Sequence, residues 1–310
     1  MFPVNTVRKL PLFFFLAVLS GFLFPFDAIS GARDPIPVVV TIPVLKDLAE
    51  QVGGSHVRVT SLLSGYENEH TYSPKPTDLI AVRKARLLLE IGMGLEVWVA
   101  SLVKNAGSQS LRVITTSQGV ELIPDDDEAH ETQHHEGTAG NPHIWLDPDN
   151  VAIMLRHITG ALIEVDPAHS AEFQTNQAAY LQRLGVLQKE LSIRTQQLSD
   201  RRFIAHHPAW PYLAKRFSFD IVGTIHMQSG TEPSALHLQS LIKKIRQEHI
   251  KVIVSEIQLS QRLPELLARE TTAHIVVLTT MPGGLAGTST YLDMLRYNVL
   301  QLAGALDRTS

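Results

Sequence analysis

The chain has 310 residues, a formal net charge of −4 at pH 7 and no cysteine. This charge balance lacks the basic footprint of a nucleic-acid-binding protein. Without cysteine the chain has neither disulfides nor thiolate metal sites, so any zinc site must use nitrogen and oxygen ligands. The length favours two domains.

Residues 1–30 are predicted to be a signal peptide. Arg8 and Lys9 supply a positive start, residues 10–26 are nearly all apolar, and small residues surround the expected cleavage point near Ser30. We therefore expect a soluble mature protein in the periplasm. The alternative is an N-terminal membrane anchor, although the apolar run is short for a span.

The next part of the chain alternates between strand and helix patterns. The predicted strands cover residues 37–42, 57–63, 87–91 and 112–115. The predicted helices cover residues 43–54, 78–86 and 95–105. This alternation indicates βαβ units and a parallel sheet.

Residues 124–140 interrupt that rhythm with an acidic loop that contains His130, His134 and His135. These histidines could capture zinc weakly and pass it on to a main site. The alternative is a solvated linker that happens to hold histidines.

Two helical stretches follow, at residues 148–165 and 167–198, and a leucine stripe marks the second as one long helix. A second α/β region then begins. Its predicted strands cover residues 202–205, 221–224, 252–255 and 275–278, and its helices cover residues 233–248, 264–272 and 291–306.

These elements predict an α/β protein of two lobes, each with a mostly parallel sheet flanked by helices. The first lobe is residues 31–165 and the second lobe is residues 200–310. Residues 166–199 form the long, rigid helix that joins them. Crevices at the carboxyl ends of parallel strands are where such folds bind ligands.

Three histidine motifs are the strongest functional signal. They are EHTYSPKPTD at 69–78, NPHIWLDP at 141–148 and AHHPAWPY at 205–212. His70 and His207 each follow a predicted strand, one in each lobe, and His143 precedes a helix. Neutral imidazole is the commonest transition-metal ligand, so the motifs predict one metal site between the lobes.

The motifs resemble the ZnuA/TroA-type family of metal-binding proteins that serve ABC importers. The resemblance covers essentially the whole mature chain and implies two α/β lobes with the metal between them. It implies His70, His143 and His207 as ligands. His207 is preferred to His206 because the family's third ligand lies five residues before a tyrosine.

The fourth ligand is left open by one departure from the family pattern. Many members carry an aspartate in an LDP turn after the last strand, but here the matching residues 278–282 read LTTMP. Glu69 or water is favoured in its place, and Glu256 is a weaker candidate. Three imidazoles with one oxygen suit zinc, whereas manganese prefers more oxygen ligands.

The predicted function is a periplasmic, monomeric solute-binding protein, not an enzyme, that captures zinc and delivers it to an ABC permease. The same scaffold could instead serve manganese or act as a surface adhesin. A secreted zinc hydrolase is disfavoured because the HExxH pattern of metalloproteases is absent.

Overall fold

The computed structural model of the protein describes residues 1–4, 34–124, 140–226 and 231–308. The chain divides into two units, residues 1–33 and residues 34–310. Most of the predicted signal peptide lies outside the described residues, as do His130, His134 and His135. The second unit carries every helix and strand described below.

The first sheet has four parallel strands in the order β2-β1-β3-β4. The strands are β1 Ile36–Val40, β2 Val57–Ser61, β3 Leu87–Glu90 and β4 Arg112–Thr115. Their flanking helices are α1 Pro43–Gly53, α2 Pro76–Lys84 and α3 Val99–Ala106. The inner strands β1 and β3 are runs of buried Val and Leu, as expected where helices cover both faces of a parallel sheet.

The second sheet repeats this topology with the order β6-β5-β7-β8. The strands are β5 Arg202–Ala205, β6 Asp220–Thr224, β7 Val252–Glu256 and β8 His274–Leu278. The helices are α6 Pro211–Phe217, α7 Ala235–Glu248 and α8 Arg262–Glu270. The predicted fold class of two parallel sheets is confirmed. Helix α6 was not predicted from the sequence, because its seven residues are too few to show a helical period.

Three longer helices complete the fold: α4 Pro148–Val165, α5 Ser170–Gln196 and α9 Tyr291–Arg308. The predicted long helix is therefore confirmed as α5. Its apolar stripe is buried, with Leu184 and Leu187 both 3 % exposed. On its outer side Glu190 pairs with Arg296 of α9 at 3.1 Å. No helix among the described residues combines the length and apolar character that a membrane span requires.

One continuous apolar cluster runs through the fold and includes residues of both sheets, α1, α4, α5 and α9. A smaller cluster fills the space between the second sheet and helices α7 and α8. Because β1, β2 and β5 end close to the three histidine motifs, this shared core holds the loops that carry those motifs.

Candidate metal centre

His70, His143 and His207 come together at the carboxyl ends of the strands. One ligand atom from each lies within 4.8 Å of the others. The Nε2 atoms of His70 and His143 are 3.1 Å apart, and the ring centroids of His143 and His207 are 5.2 Å apart. Bonds of about 2.0–2.1 Å in a tetrahedron place ligand atoms about 3.3 Å apart, so this arrangement suits one metal ion.

The loop that carries His70 follows β2 and is held by hydrogen bonds at both sides. The His70 backbone N–H donates to Asn68 Oδ1 at 2.9 Å. The Tyr72 hydroxyl donates to Asp78 Oδ2 at 2.7 Å, and the same carboxylate oxygen accepts the Lys75 N–H at 2.7 Å. Asp78 thus caps α2 and fixes the loop, so His70 needs little reordering to bind a metal.

His143 is almost fully buried and its tautomer is set by Asn141. The Asn141 side-chain oxygen lies 2.9 Å from His143 Nδ1 and 3.0 Å from the His143 backbone N. A proton on Nδ1 satisfies this contact and leaves the Nε2 lone pair facing the other histidines. Asn141 also donates to the Pro208 carbonyl at 2.5 Å, which joins the His143 and His207 loops.

The turn after His143 anchors the site to the rest of the fold. Asp147 caps α4 by accepting the Asp149 N–H at 2.9 Å. It also accepts two hydrogen bonds from Arg216 of α6, at 2.7 and 3.0 Å. The Trp145 indole donates to the Thr280 carbonyl at 2.7 Å. These contacts tie the His143 loop directly to the second sheet.

His207 is oriented by Glu256, the last residue of β7. His207 Nδ1 lies 3.2 Å from Glu256 Oε1. The Trp210 indole also donates to this oxygen, and His206 Nδ1 lies 3.4 Å from the other oxygen, Oε2. Glu256 therefore contacts Nδ1 of His207 and leaves Nε2 available for a metal, which is consistent with an orienting role rather than the ligand role considered from the sequence.

Glu69 is the carboxylate placed at the histidine cluster itself. It is 3 % exposed, and its Oε1 lies 3.8 Å from His143 Nε2. Within the described part of the chain this buried oxygen has no hydrogen-bond partner. The Thr280 side chain bonds the carboxyl group, so the threonine in the LTTMP turn supports Glu69. An unsatisfied buried carboxylate oxygen at this position fits a fourth ligand.

Burial and charge set different protonation states for the three histidines. Burial lowers the pKa of His70 to about 3 and lowers that of His143 well below its usual value. Burial also opposes the charged form of His207, but the Glu256 carboxylate outweighs it and raises the His207 pKa. Although burial opposes ionisation of Glu256, the neighbouring His207 and His206 lower its pKa to about 2. His70 and His143 are therefore neutral and available as ligands.

A pocket of about 190 Å³ opens beside the cluster on the side of the second lobe. Its walls include Asn68, His206, His207, His226 and Arg262. His207 is the ligand candidate that borders this pocket.

Glu96 is a buried carboxyl group that links the segments directly after β1 and β3. Its carboxyl group accepts hydrogen bonds from the Thr41 hydroxyl at 2.7 Å and from the Ile91 and Gly92 N–H groups at 2.9 Å each. These contacts join the ends of β1 and β3. Burial outweighs them and raises the pKa of Glu96 to about 7.

The raised pKa of Glu96 predicts a pH-dependent stability. Between the unfolded value near 4.5 and the folded value near 7, the folded chain keeps a proton that the unfolded chain has lost. Stability therefore falls by about 3 kcal/mol as pH rises through this window. Urea unfolding of metal-free protein at pH 5 and pH 8 gives the loss of unfolding free energy between these two pH values. This loss should be smaller in Glu96→Gln than in the unmodified protein. An equal loss in both proteins would contradict the assignment, even if the amide lowers stability by the same amount at both pH values.

Several supporting residues carried no signal in the sequence. Asn141, Glu96 and Thr280 are isolated polar residues, and each has at least one partner far away along the chain: Pro208, Thr41 and Trp145, respectively. Trp98, whose indole donates to the Glu69 carbonyl at 3.3 Å, is equally unmarked. Only the position of Asn141, two residues before a histidine, hinted at its role.

Comparison with known proteins places the chain among metal-uptake proteins. Residues 38–305 match the family model of ZnuA, the periplasmic component A of a zinc-uptake complex. The high-affinity zinc uptake system protein ZnuA of Bacillus subtilis is 27 % identical, over 88 % of this chain and 88 % of its own. The manganese-binding lipoprotein MntA of Halalkalibacterium halodurans is 26 % identical, over 87 % of this chain and 88 % of its own. A crystal structure of a ZnuA superposes with a TM-score of 0.78 at 29 % identity, covering 88 % of this chain and 100 % of that one.

Proposed function

The chain belongs to the ZnuA family of periplasmic zinc-uptake components, and we propose that it captures one zinc ion between its two lobes and delivers it to the membrane permease of an ABC importer. As a family member it is a metal-binding, solute-binding component of an importer that works outside the cytoplasmic membrane. The choice of zinc, the ligand set of His70, His143, His207 and Glu69, and the export of the mature chain through a cleaved signal peptide are parts of the proposal.

The observation that carries the proposal is the convergence of three imidazoles with one buried carboxylate. The ligand atoms of His70, His143 and His207 lie within 4.8 Å of one another, and Glu69 Oε1 lies 3.8 Å from His143 Nε2 without a hydrogen-bond partner among the described residues. Three nitrogens and one oxygen form the tetrahedral set that zinc takes. The charge of Glu69 would offset part of the charge of the ion in a buried site.

Manganese is the main competing cargo, since a manganese-binding relative shares the fold. Manganese prefers more oxygen ligands than zinc. The LTTMP turn contributes threonine where the family resemblance implies aspartate, and Glu256 Oε1 is already engaged by His207 Nδ1 and the Trp210 indole. The site therefore offers one carboxylate to the ion, which favours zinc.

The position of the ligands suggests how the ion is released. His70 and His143 belong to the first lobe, whereas His207 belongs to the second and is held there by Glu256. A small displacement of one lobe would remove one imidazole from the metal without disturbing the other two. We infer that contact with the permease separates the lobes in this way, because losing one ligand weakens a four-coordinate site strongly.

Titration of metal-free protein with zinc chloride and manganese chloride tests the proposal. We expect one tight equivalent of zinc, displaced poorly by manganese, and no turnover of peptide or ester substrates. The triple variant His70→Ala, His143→Ala, His207→Ala should lose this tight equivalent. Tight zinc binding that survives in the triple variant, or a preference for manganese, would overturn the proposal.

Asn141 should matter for affinity although it does not reach the ion. Replacing Asn141 with alanine removes the acceptor that fixes the His143 tautomer, and we expect zinc affinity to fall by about 10- to 100-fold. Asn141→Asp keeps an oxygen at this position and should retain more affinity. Equal affinities for the two variants, measured by competition with a chelator, would argue against tautomer control.

A further inference from the structure

A second group of metal-binding side chains lies away from the site described above. It consists of His56, Asp166 and His169, whose ligand atoms lie within 4.8 Å of one another, with Glu172 beside them. His56 ends a 3-10 turn, Gly54–His56, between α1 and β2. Asp166 and His169 flank the short 3-10 turn between α4 and α5, and Glu172 lies in the first turn of α5. We call this group the α1–α5 cluster.

The α1–α5 cluster lies at the amino end of the strands of the first sheet, and His70 lies at their carboxyl end. His56 directly precedes β2, so it marks the amino end of that strand, whereas His70 lies beyond the carboxyl end. The two groups share no residue, and the strands separate them. The α1–α5 cluster is thus independent of the site between the lobes.

Each histidine in the cluster already faces a carboxylate. His169 Nδ1 lies 2.5 Å from Asp166 Oδ2, and His56 Nε2 lies 2.9 Å from Glu172 Oε2. The two imidazole rings stack with centroids 3.8 Å apart and planes at 25°. Each imidazole nitrogen therefore has a carboxylate oxygen beside it at slightly less than the spacing of about 3.3 Å expected around tetrahedral zinc, so a small outward shift of these side chains would admit the ion.

The backbone around the cluster is fixed independently of the four side chains. Gly54 adopts a positive φ of 53°, which turns the chain out of α1 and presents His56 towards α5. Asn176 of α5 donates to the Val52 carbonyl at 3.0 Å. Phe173 is fully buried beneath both rings, in an edge contact with His56 at 5.8 Å. Such preorganisation lowers the cost of gathering the ligands.

The charge and the solvent exposure of the cluster also suit an exchangeable divalent cation. The Asp166 side chain is 9 % exposed and that of His169 is 33 % exposed, so one carboxylate is buried while an imidazole remains within reach of solvent. With neutral imidazoles, the two carboxylates give the cluster a charge that one divalent cation cancels. Solvent access favours weaker, exchangeable binding compared with the site between the lobes, where His143 and His207 are buried.

We propose that the α1–α5 cluster is a second zinc site, formed by His56, His169, Asp166 and Glu172, that clips the end of α1 to the start of α5. An ion there would bridge two segments that are far apart in the chain, since His56 and Glu172 are separated by 116 positions. It would stabilise the fold around α5 by an amount that rises with the logarithm of the free zinc concentration.

The test uses the full mature chain with the first site removed, so that its outcome does not depend on the proposed transport site. In a His70→Ala, His143→Ala, His207→Ala background, calorimetric titration with zinc chloride should retain one equivalent, weaker than the tight site. Adding His56→Gln and His169→Gln should abolish it. Adding His157→Gln instead, at a matched histidine whose Nε2 contacts the Gln118 carbonyl at 2.8 Å, should leave it unchanged.

Two further measurements guard against effects of misfolding. Glu172→Gln alters a half-exposed residue and should weaken the second equivalent at least tenfold while leaving the thermal transition of zinc-free protein in place. Zinc-edge anomalous diffraction from unmutated crystals soaked in zinc should show a peak between His56 and His169. Binding that is unchanged by the His56→Gln and His169→Gln pair, or the absence of this peak at saturating zinc, would overturn the proposal and leave two hydrogen-bonded ion pairs.

Discussion

Replacing His143 with alanine is expected to reduce zinc affinity by more than about a hundredfold, the largest effect of any single substitution at the site. Loss of a residue that merely supports a ligand costs about 10- to 100-fold, and His143 is placed as a ligand. Its Nε2 faces His70 at 3.1 Å, and its Nδ1 is engaged by Asn141. The ring is 1 % exposed, so water cannot easily replace it in the same geometry.

Competition with a chelator of known zinc affinity measures this change in His143→Ala. His157→Ala is the matched control, since His157 is an exposed histidine whose ring contacts a backbone carbonyl. The control should bind zinc as the unmodified protein does. A loss below tenfold in His143→Ala would show that His143 is not a ligand.

Replacing Glu256 with glutamine is expected to weaken both the metal site and the fold. Glu256 is fully buried and carries the charge that holds His206 and His207. Removing one partner of a buried ion pair costs about 3–5 kcal/mol. Zinc affinity should also fall by about 10- to 100-fold, because His207 loses the carboxylate that orients it.

Two measurements separate these effects of Glu256→Gln. Urea unfolding of metal-free protein gives the change in the free energy of unfolding, and chelator competition gives the change in affinity. Glu232→Gln is the control, because Glu232 is an exposed carboxylate at the same pocket, paired with Arg262 at 3.4 Å. If Glu256→Gln unfolds like this control and binds zinc normally, then Glu256 neither orients His207 nor stabilises the fold.

The fold could be predicted from the sequence because its signals are local. Runs of Val and Leu marked the inner strands of the first sheet, and proline marked the starts of α1 and α4. The leucine spacing in residues 181–191 marked α5 without reference to any other part of the chain. Helix α6 was not predicted from the sequence because it is short and begins inside the third histidine motif, AHHPAWPY.

The candidate site was predictable only in part. His70, His143 and His207 were found because each sits in an irregular segment between regular elements, where a histidine has few structural reasons to lie. The roles of the carboxylates were not separable, since Glu69 and Glu256 each adjoin a ligand or a strand end. Their roles depend on which side of a histidine ring they face, and that is set by packing between distant strands.

The second histidine group shows the same limit of sequence reasoning. His56 and His169 had no setting that distinguished them from solvated or packed histidines. They meet because α1 ends where α5 begins, which is a property of helix packing and not of either segment.

Zinc-edge anomalous diffraction from crystals of the zinc-loaded protein would locate the ion and its ligands. We expect the strongest peak to lie about 2.0–2.1 Å from the Nε2 atoms of His70, His143 and His207, with an oxygen of Glu69 as fourth ligand. A strongest peak elsewhere, or one that lacks any of the three imidazoles, would contradict this assignment.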